Sequence, residues 1–184
     1  MIVRLLALFM LFLLSPFFLI ISFLNLIFLG LPIFFTQERV GKNNKIFHLF
    51  KFRTMYLKED EDVDTKKDIQ RLNSYGKFLR STSLDELPSL INILKGEMTF
   101  VGPRPLLTEY LALYSSEQLK RHNVLPGITG WAQINGWRGE TDTLEKMEKR
   151  VEHDLFYIKH WTLWFDIKII FLTFFKGFVG KNAY

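Results

Sequence analysis

The sequence has no cysteine among its 184 residues. That excludes disulfides, thiolate catalysis and zinc–thiolate sites, and it fits a reducing compartment. Charge is scarce at the start: from Met1 to Phe35 the only charged residue is Arg4. A secretory signal would carry a more basic beginning and a small-residue cleavage site after the apolar run, and neither is present. The four histidines, His48, His122, His153 and His160, stand at no metal-ligand spacing. No Walker loop, dinucleotide fingerprint or internal repeat occurs.

What is present is apolar and basic. Hydrophobic residues make up 48% of the chain and phenylalanine alone contributes 19, so a single-domain core can form with apolar surface left over. The net charge of +5 and pI of about 9.4 suit anionic lipid headgroups, nucleotide phosphates or nucleic acid.

The apolar residues concentrate at the N-terminus. A continuous helix from Ile2 to Leu29 would be roughly 42 Å long, against a hydrocarbon core about 30 Å thick. Pro16 interrupts it. Its ring cannot donate to the Phe12 carbonyl and costs about 3 kcal/mol in a helix interior. Ser15 can bond back to the Leu11 carbonyl and help the bend. Each half, about 21 Å, is too short to cross alone. The pattern predicts a helix–break–helix segment over residues 1–35 that enters and leaves by one face; a kinked spanning helix is the alternative. Arg39, Lys42, Lys45, Lys51, Arg53 and Lys58 crowd its C-terminal flank, which places the remaining body, residues 36–184, on the cytoplasmic face.

That body reads as α+β and mostly helical. Ile33–Thr36 and Ile46–Phe52 are β-rich and flank the turn Val40–Lys45, a hairpin. In the second run Phe47, Leu49, Lys51 and Arg53 share a face. Lys51 and Arg53 are either a solvated strand end or phosphate ligands. Lys58–Asp68 reads as a loop with solvated acids. Gly102-Pro103-Arg104-Pro105 fixes Arg104 between two prolines, and Pro105 can also start a helix over Leu106–Tyr114. Ser116–His122 reads as a short basic helix. Leu125–Trp131 is a turn-rich loop, and Arg138 follows in a second glycine-containing stretch. Thr143–His160 is an amphipathic helix whose charges form a solvated face. Trp161–Phe178, rich in Trp and Phe, is either an interfacial helix on a membrane or a core helix.

Between these lies Ser81-Thr82-Ser83-Leu84-Asp85-Glu86-Leu87-Pro88. One reading is a capping box: Ser83, Glu86 three residues on, then an apolar run. The other is chemical. A helix N-terminus attracts phosphate, and a carboxylate such as Asp85 can act as a nucleophile. Adjacent positions diverge on a helix, so Asp85 and Glu86 would have separate jobs. Arg80 lies just upstream.

Five motifs, Lys51–Met55, Arg80–Pro88, Asn92–Met98, Val101–Pro105 and Pro126–Gln133, together resemble the bacterial sugar transferases, the monotopic polyprenyl-phosphate phosphoglycosyl transferases. The resemblance runs over nearly the whole chain. It implies transfer of a sugar 1-phosphate from a UDP-sugar to undecaprenyl phosphate at the cytoplasmic face of a bacterial inner membrane, releasing UMP. It implies Asp85 as nucleophile, Glu86 as the base that readies the lipid phosphate, and Mg²⁺ at Asp85. Lys51, Arg53, Arg80, Arg104 and Arg138 fall at phosphate-binding positions, and Ser15-Pro16 at the break of the re-entrant helix. Anionic lipids become partners and a homodimer an allowed assembly. Longer members carry extra N-terminal membrane domains, so the resemblance implies a small member or a catalytic piece. A non-catalytic membrane scaffold with the same fold is the competing class. Nucleic acid binding is disfavoured by the paired acids and the apolar start.

Overall fold

Ser15 and Pro16 divide the apolar run where expected. In the computed structural model, which describes residues 1–57, 71–138 and 143–179, helix α1 spans Ile2–Leu13 and α2 spans Ser15–Leu29, bent by 61°. Among the described residues no single helix is long and apolar enough to cross a membrane, but this bent pair meets that test together. The Ser15 hydroxyl donates to Phe12 O at 2.8 Å rather than to Leu11. It thereby satisfies the very carbonyl that Pro16 leaves without its helical donor.

Strand β1, Phe34–Val40, pairs antiparallel with β2, Ile46–Phe52, in the register Phe35 to Lys51 and Arg39 to Phe47. The hairpin is longer than expected on its first side. Phe47 and Leu49 face a core with Ala7 of α1. Helix α3 is Ser74–Thr82, and α4 is Ser89–Lys95. Helix α4 covers the outer edge of β2. Buried Asn92 accepts from Phe50 N and donates to His48 O, and the Ser89 hydroxyl donates to Phe50 O. An otherwise open strand edge is thus closed by side chains.

Strand β3, Thr99–Val101, runs parallel to β4, Gly127–Thr129. The stretch expected as a turn-rich loop therefore contains a strand. A Cβ at Gly127 would collide with Gly102 N, which is why the two segments approach so closely. Pro105 does not begin a helix: Leu107 is extended, and the chain turns as a 3₁₀ segment only at Thr108–Leu113. The expected basic helix is a 3₁₀ turn at Gln118–Asn123.

Helix α5 is Trp131–Ile134, α6 Leu144–Lys159 and α7 Leu163–Val179. Thr143 caps α6 by accepting from Lys146 N. The charged face of α6 is not wholly solvated: Arg150 and Asp154 are buried beside Met147, Val151 and Tyr157. Helix α7 buries Ile169 against Val101, Ile134 and Tyr157. Its other side exposes Trp164, Phe171, Phe174 and Phe175, with Trp161 just before it. The Lys58–Asp68 loop and Phe178 lie outside the described residues and side chains.

Two polar residues tie the helical pair to the body. Asn25, fully buried in α2, donates to Ile33 O and Arg53 O, both at 3.0 Å. Arg53 Nη2 donates to Leu29 O and Gly30 O, both at 2.6 Å, where a cation favours the helix C-terminus.

Candidate active site

The two carboxylates are presented by a turn, not by a capped helix. Helix α3 stops because Ser83 adopts φ 59°, ψ 18°, and a 3₁₀ turn follows over Leu84–Glu86. Ser83 makes no side-chain cap, so the capping box does not form. Its hydroxyl instead meets the Arg138 guanidinium. Asp85 and Glu86 both turn toward Lys51 of β2.

Lys51 Nζ lies 2.8 Å from Glu86 Oε1 and 3.7 Å from Asp85 Oδ2. Arg104 forks onto the same glutamate, Nη2 to Oε1 at 2.7 Å and Nη1 to Oε2 at 3.4 Å. The prolines on either side of Arg104 hold its backbone for this contact. Burial pushes Glu86 upward, but Arg104 and Lys51 outweigh it and hold the carboxyl well below the usual range. Asp85 goes the other way. Burial raises it, and the Lys51 charge only partly opposes that. Arg80, whose Nε donates to Thr54 Oγ1 at 3.0 Å, also favours the ionised form of Asp85.

These side chains line one cavity of about 750 Å³. It holds Lys51, Arg80, Asp85, Glu86, Arg104 and Arg138 together. Arg53 also borders it, but with its guanidinium turned onto the α2 carbonyls as described. Arg39 and Arg150 were not foreseen. Strand alternation from Phe35 through Gln37 would have put Arg39 on the cavity side; nothing in the α6 pattern marks Arg150. Counting its described residues, the cavity has eight Lys or Arg side chains against two carboxylates. So large an excess suits a polyanion rather than a neutral ligand.

Behind Arg104 stands a sealed pair. Arg121 donates to Asp154 Oδ2 through Nε at 3.1 Å and Nη2 at 2.7 Å, and Nη2 also donates to Arg104 O at 2.7 Å. It braces the backbone that carries the forked guanidinium.

Among the described residues no three His, Asp or Glu side chains gather to hold a metal. Asp85 is the cavity carboxylate that Arg104 does not fork, and Mg²⁺ commonly takes one or two carboxylates plus substrate phosphates.

A family model described as bacterial sugar transferase matches residues 1–180. The chain belongs to this family. A UDP-glucose:undecaprenyl-phosphate glucose-1-phosphate transferase of Klebsiella pneumoniae is 56% identical over 159 residues, covering 83% of this chain and 34% of its own length. The sugar transferase EpsL of Bacillus subtilis is 46% identical over 154 residues, covering 84% of this chain and 74% of its own. A UDP-N-acetylgalactosamine-undecaprenyl-phosphate N-acetylgalactosaminephosphotransferase of Aeromonas hydrophila is 37% identical over 158 residues, covering 83% and 37%. The chain spans about a third of the Klebsiella and Aeromonas relatives and about three-quarters of EpsL. All five motifs noted in the sequence lie inside the stretch that matches the bacterial sugar transferase model.

Proposed function

We propose that the chain transfers a sugar 1-phosphate from a UDP-sugar to undecaprenyl phosphate, with Asp85 as the nucleophile. The observation that carries this reading is the pairing of unlike carboxylates. Glu86 is locked by two cations, while Asp85 is buried, unforked and open to the same basic cavity.

In the first half-reaction an Asp85 carboxylate oxygen attacks the phosphorus that bears the sugar. The bond from that phosphorus to the bridging oxygen breaks, its electron pair leaves with UMP, and an aspartyl phospho-sugar remains. In the second, an oxygen of the lipid phosphate attacks the same phosphorus, expels the Asp85 carboxylate and forms the polyprenyl-diphosphate sugar. Lys51, Arg80 and Arg104 lie where they can neutralise the anions brought together in both steps, which is where preorganised charge lowers a barrier. When Lys51 and Arg104 turn to substrate phosphates, Glu86 loses the partners that depress it. It can then take the proton of the incoming lipid phosphate. Mg²⁺ held by Asp85 and the donor's phosphates would offset the repulsion between carboxylate and diphosphate.

The bent α1–α2 pair and the exposed aromatics of α7 support a body seated on the cytoplasmic face of the inner membrane, with the pair as a re-entrant anchor. The relatives' names support UDP-glucose as the first donor to try, with UDP-N-acetylgalactosamine beside it. The test is intact mass and UMP release with each UDP-sugar, Mg²⁺ and polyprenyl phosphate. An added hexose phosphate on Asp85 is expected. No turnover across the panel would favour a scaffold that kept the fold.

A further inference from the structure

Arg39 and Arg150 are unused by the reaction as described. They come from β1 and α6, yet both line the cavity that contains Asp85. Arg150 is 3% exposed. Arg39 Nη2 donates to Gln37 Oε1 at 2.6 Å, while its buried Nε has no hydrogen-bond partner among the described residues. Leaving a buried guanidinium nitrogen unsatisfied is costly unless a ligand completes it. Burial lowers both arginines to about 10, and for each the Arg104 charge is the next cause. Three guanidiniums from three parts of the chain therefore line one cavity, with Arg104 coupled to each of the other two. Proteins tolerate such a cluster where an anion is to be bound.

The layout gives the subsite a direction. Phe35 is the cross-strand partner of Lys51, and Arg39 lies four residues further along β1, about 13 Å away. Arg104 is forked onto Glu86 and is electrostatically coupled to both Arg39 and Arg150. In phosphoryl transfer the attacking and leaving oxygens stand roughly in line. With Asp85 attacking, the leaving phosphate lies on the far side of the reacting phosphorus from Asp85, and Arg39 lines the same cavity at that remove from the cross-strand partner of Lys51.

We infer that Arg39 and Arg150, with Arg104, form an anion subsite for the phosphate of the departing nucleoside monophosphate. This rests on the transferase reading above. Breaking the diphosphate bond moves an electron pair onto the leaving oxygen and adds negative charge to that phosphate. Fixed guanidiniums there stabilise the charge as it develops. Lys51 and Arg80 stay with the phosphorus that is passed on. Arg39 and Arg150 should therefore serve the first half-reaction and not the second, while Arg104 serves both.

The experiment uses the full chain in lipid nanodiscs. In Arg39→Gln and Arg150→Gln, UMP should inhibit about tenfold more weakly, and formation of the phospho-sugar adduct should slow at least about tenfold. Transfer from preformed adduct to polyprenyl phosphate should change less than about twofold. Arg39→Lys, which keeps the charge, should recover part of the UMP affinity. In the unaltered chain, UMP but not uridine should protect Arg39 from phenylglyoxal, read by peptide mass. Unchanged UMP inhibition in both Gln variants, or slowing confined to the transfer step, overturns the inference in favour of no subsite or an acceptor subsite. Absence of protection by UMP overturns it even where a variant does not fold. Failure of every UDP-sugar to turn over counts instead against the transferase reading, while the protection measurement still decides the subsite.

Discussion

Two buried guanidinium–carboxylate pairs stand back to back in this protein and behave differently. Arg121 and Asp154 are each about 1% exposed and sealed on all sides. Arg104 and Glu86 make a fork of similar length, but each is more than 10% exposed at the side chain and faces the cavity. The sealed pair has nothing to exchange for its partner. The open pair can trade one anion, Glu86, for another, a phosphate. Coulomb attraction is comparable in both; access to a competing ligand makes one structural and the other available for chemistry.

The sharpest break in that contrast is Asp85→Asn. It removes the open side's proposed nucleophile and should cut UMP release by roughly a thousandfold or more, with thermal unfolding almost unchanged. Near-normal turnover would remove Asp85 from the mechanism. Next comes Arg121→Met. It removes the guanidinium that donates twice to buried Asp154, which should cost about 3–5 kcal/mol, read as a lowered Tm. Adding Asp154→Leu should recover much of that loss, because removing both charges is far cheaper than removing one. If the single variant is as stable as the parent, the sealed pair is not the brace described.

Acidification should separate the two effects within the open pair. Asp85 is raised by burial, so its ionised, reactive form is lost as pH falls through a range above the ordinary carboxylate one. Glu86 is depressed by Arg104 and Lys51, so its stabilisation is present above its unfolded value of about 4.3 and is lost as pH falls below that toward its folded value. The expected outcome is that adduct formation fails at a higher pH than that at which Tm begins to drop on Glu86's account. Coincident loss of rate and Tm would contradict the division of labour. Smallest of all should be Lys149→Ala, which removes an exposed pair with Glu152 and should leave Tm within measurement error.

How much of this was legible in the sequence follows from where each residue's partners lie. Lys51, Asp85, Glu86 and Arg104 belong to local motifs, so their types and spacing pointed to phosphate chemistry, and the structure gathers them. Strand runs and the Ser15-Pro16 break were visible because apolar periodicity and proline act locally. Ser83 was misleading: its spacing to Glu86 suits a cap, but a left-handed turn spends it elsewhere. Arg53 looked like its neighbour Lys51, yet its register points it at α2 rather than at the carboxylates. Arg150 and Asp154 sit on what reads as a solvated helix face, and only tertiary packing buries them. Asn25 was lost in an apolar run, because its partners, Ile33 O and Arg53 O, are backbone atoms that no side-chain pattern announces.

The grip of Arg53 on the end of α2 has a mechanical consequence. Lys51 and Arg53 are two residues apart on the same rigid stretch, about 7 Å of chain. One holds the terminus of the apolar hairpin and the other holds the acids. Any change in the tilt of the α1–α2 pair is therefore handed directly to the lysine that lies between Glu86 and Asp85. The bent pair is thus a lever arm whose fulcrum lies beside the two carboxylates.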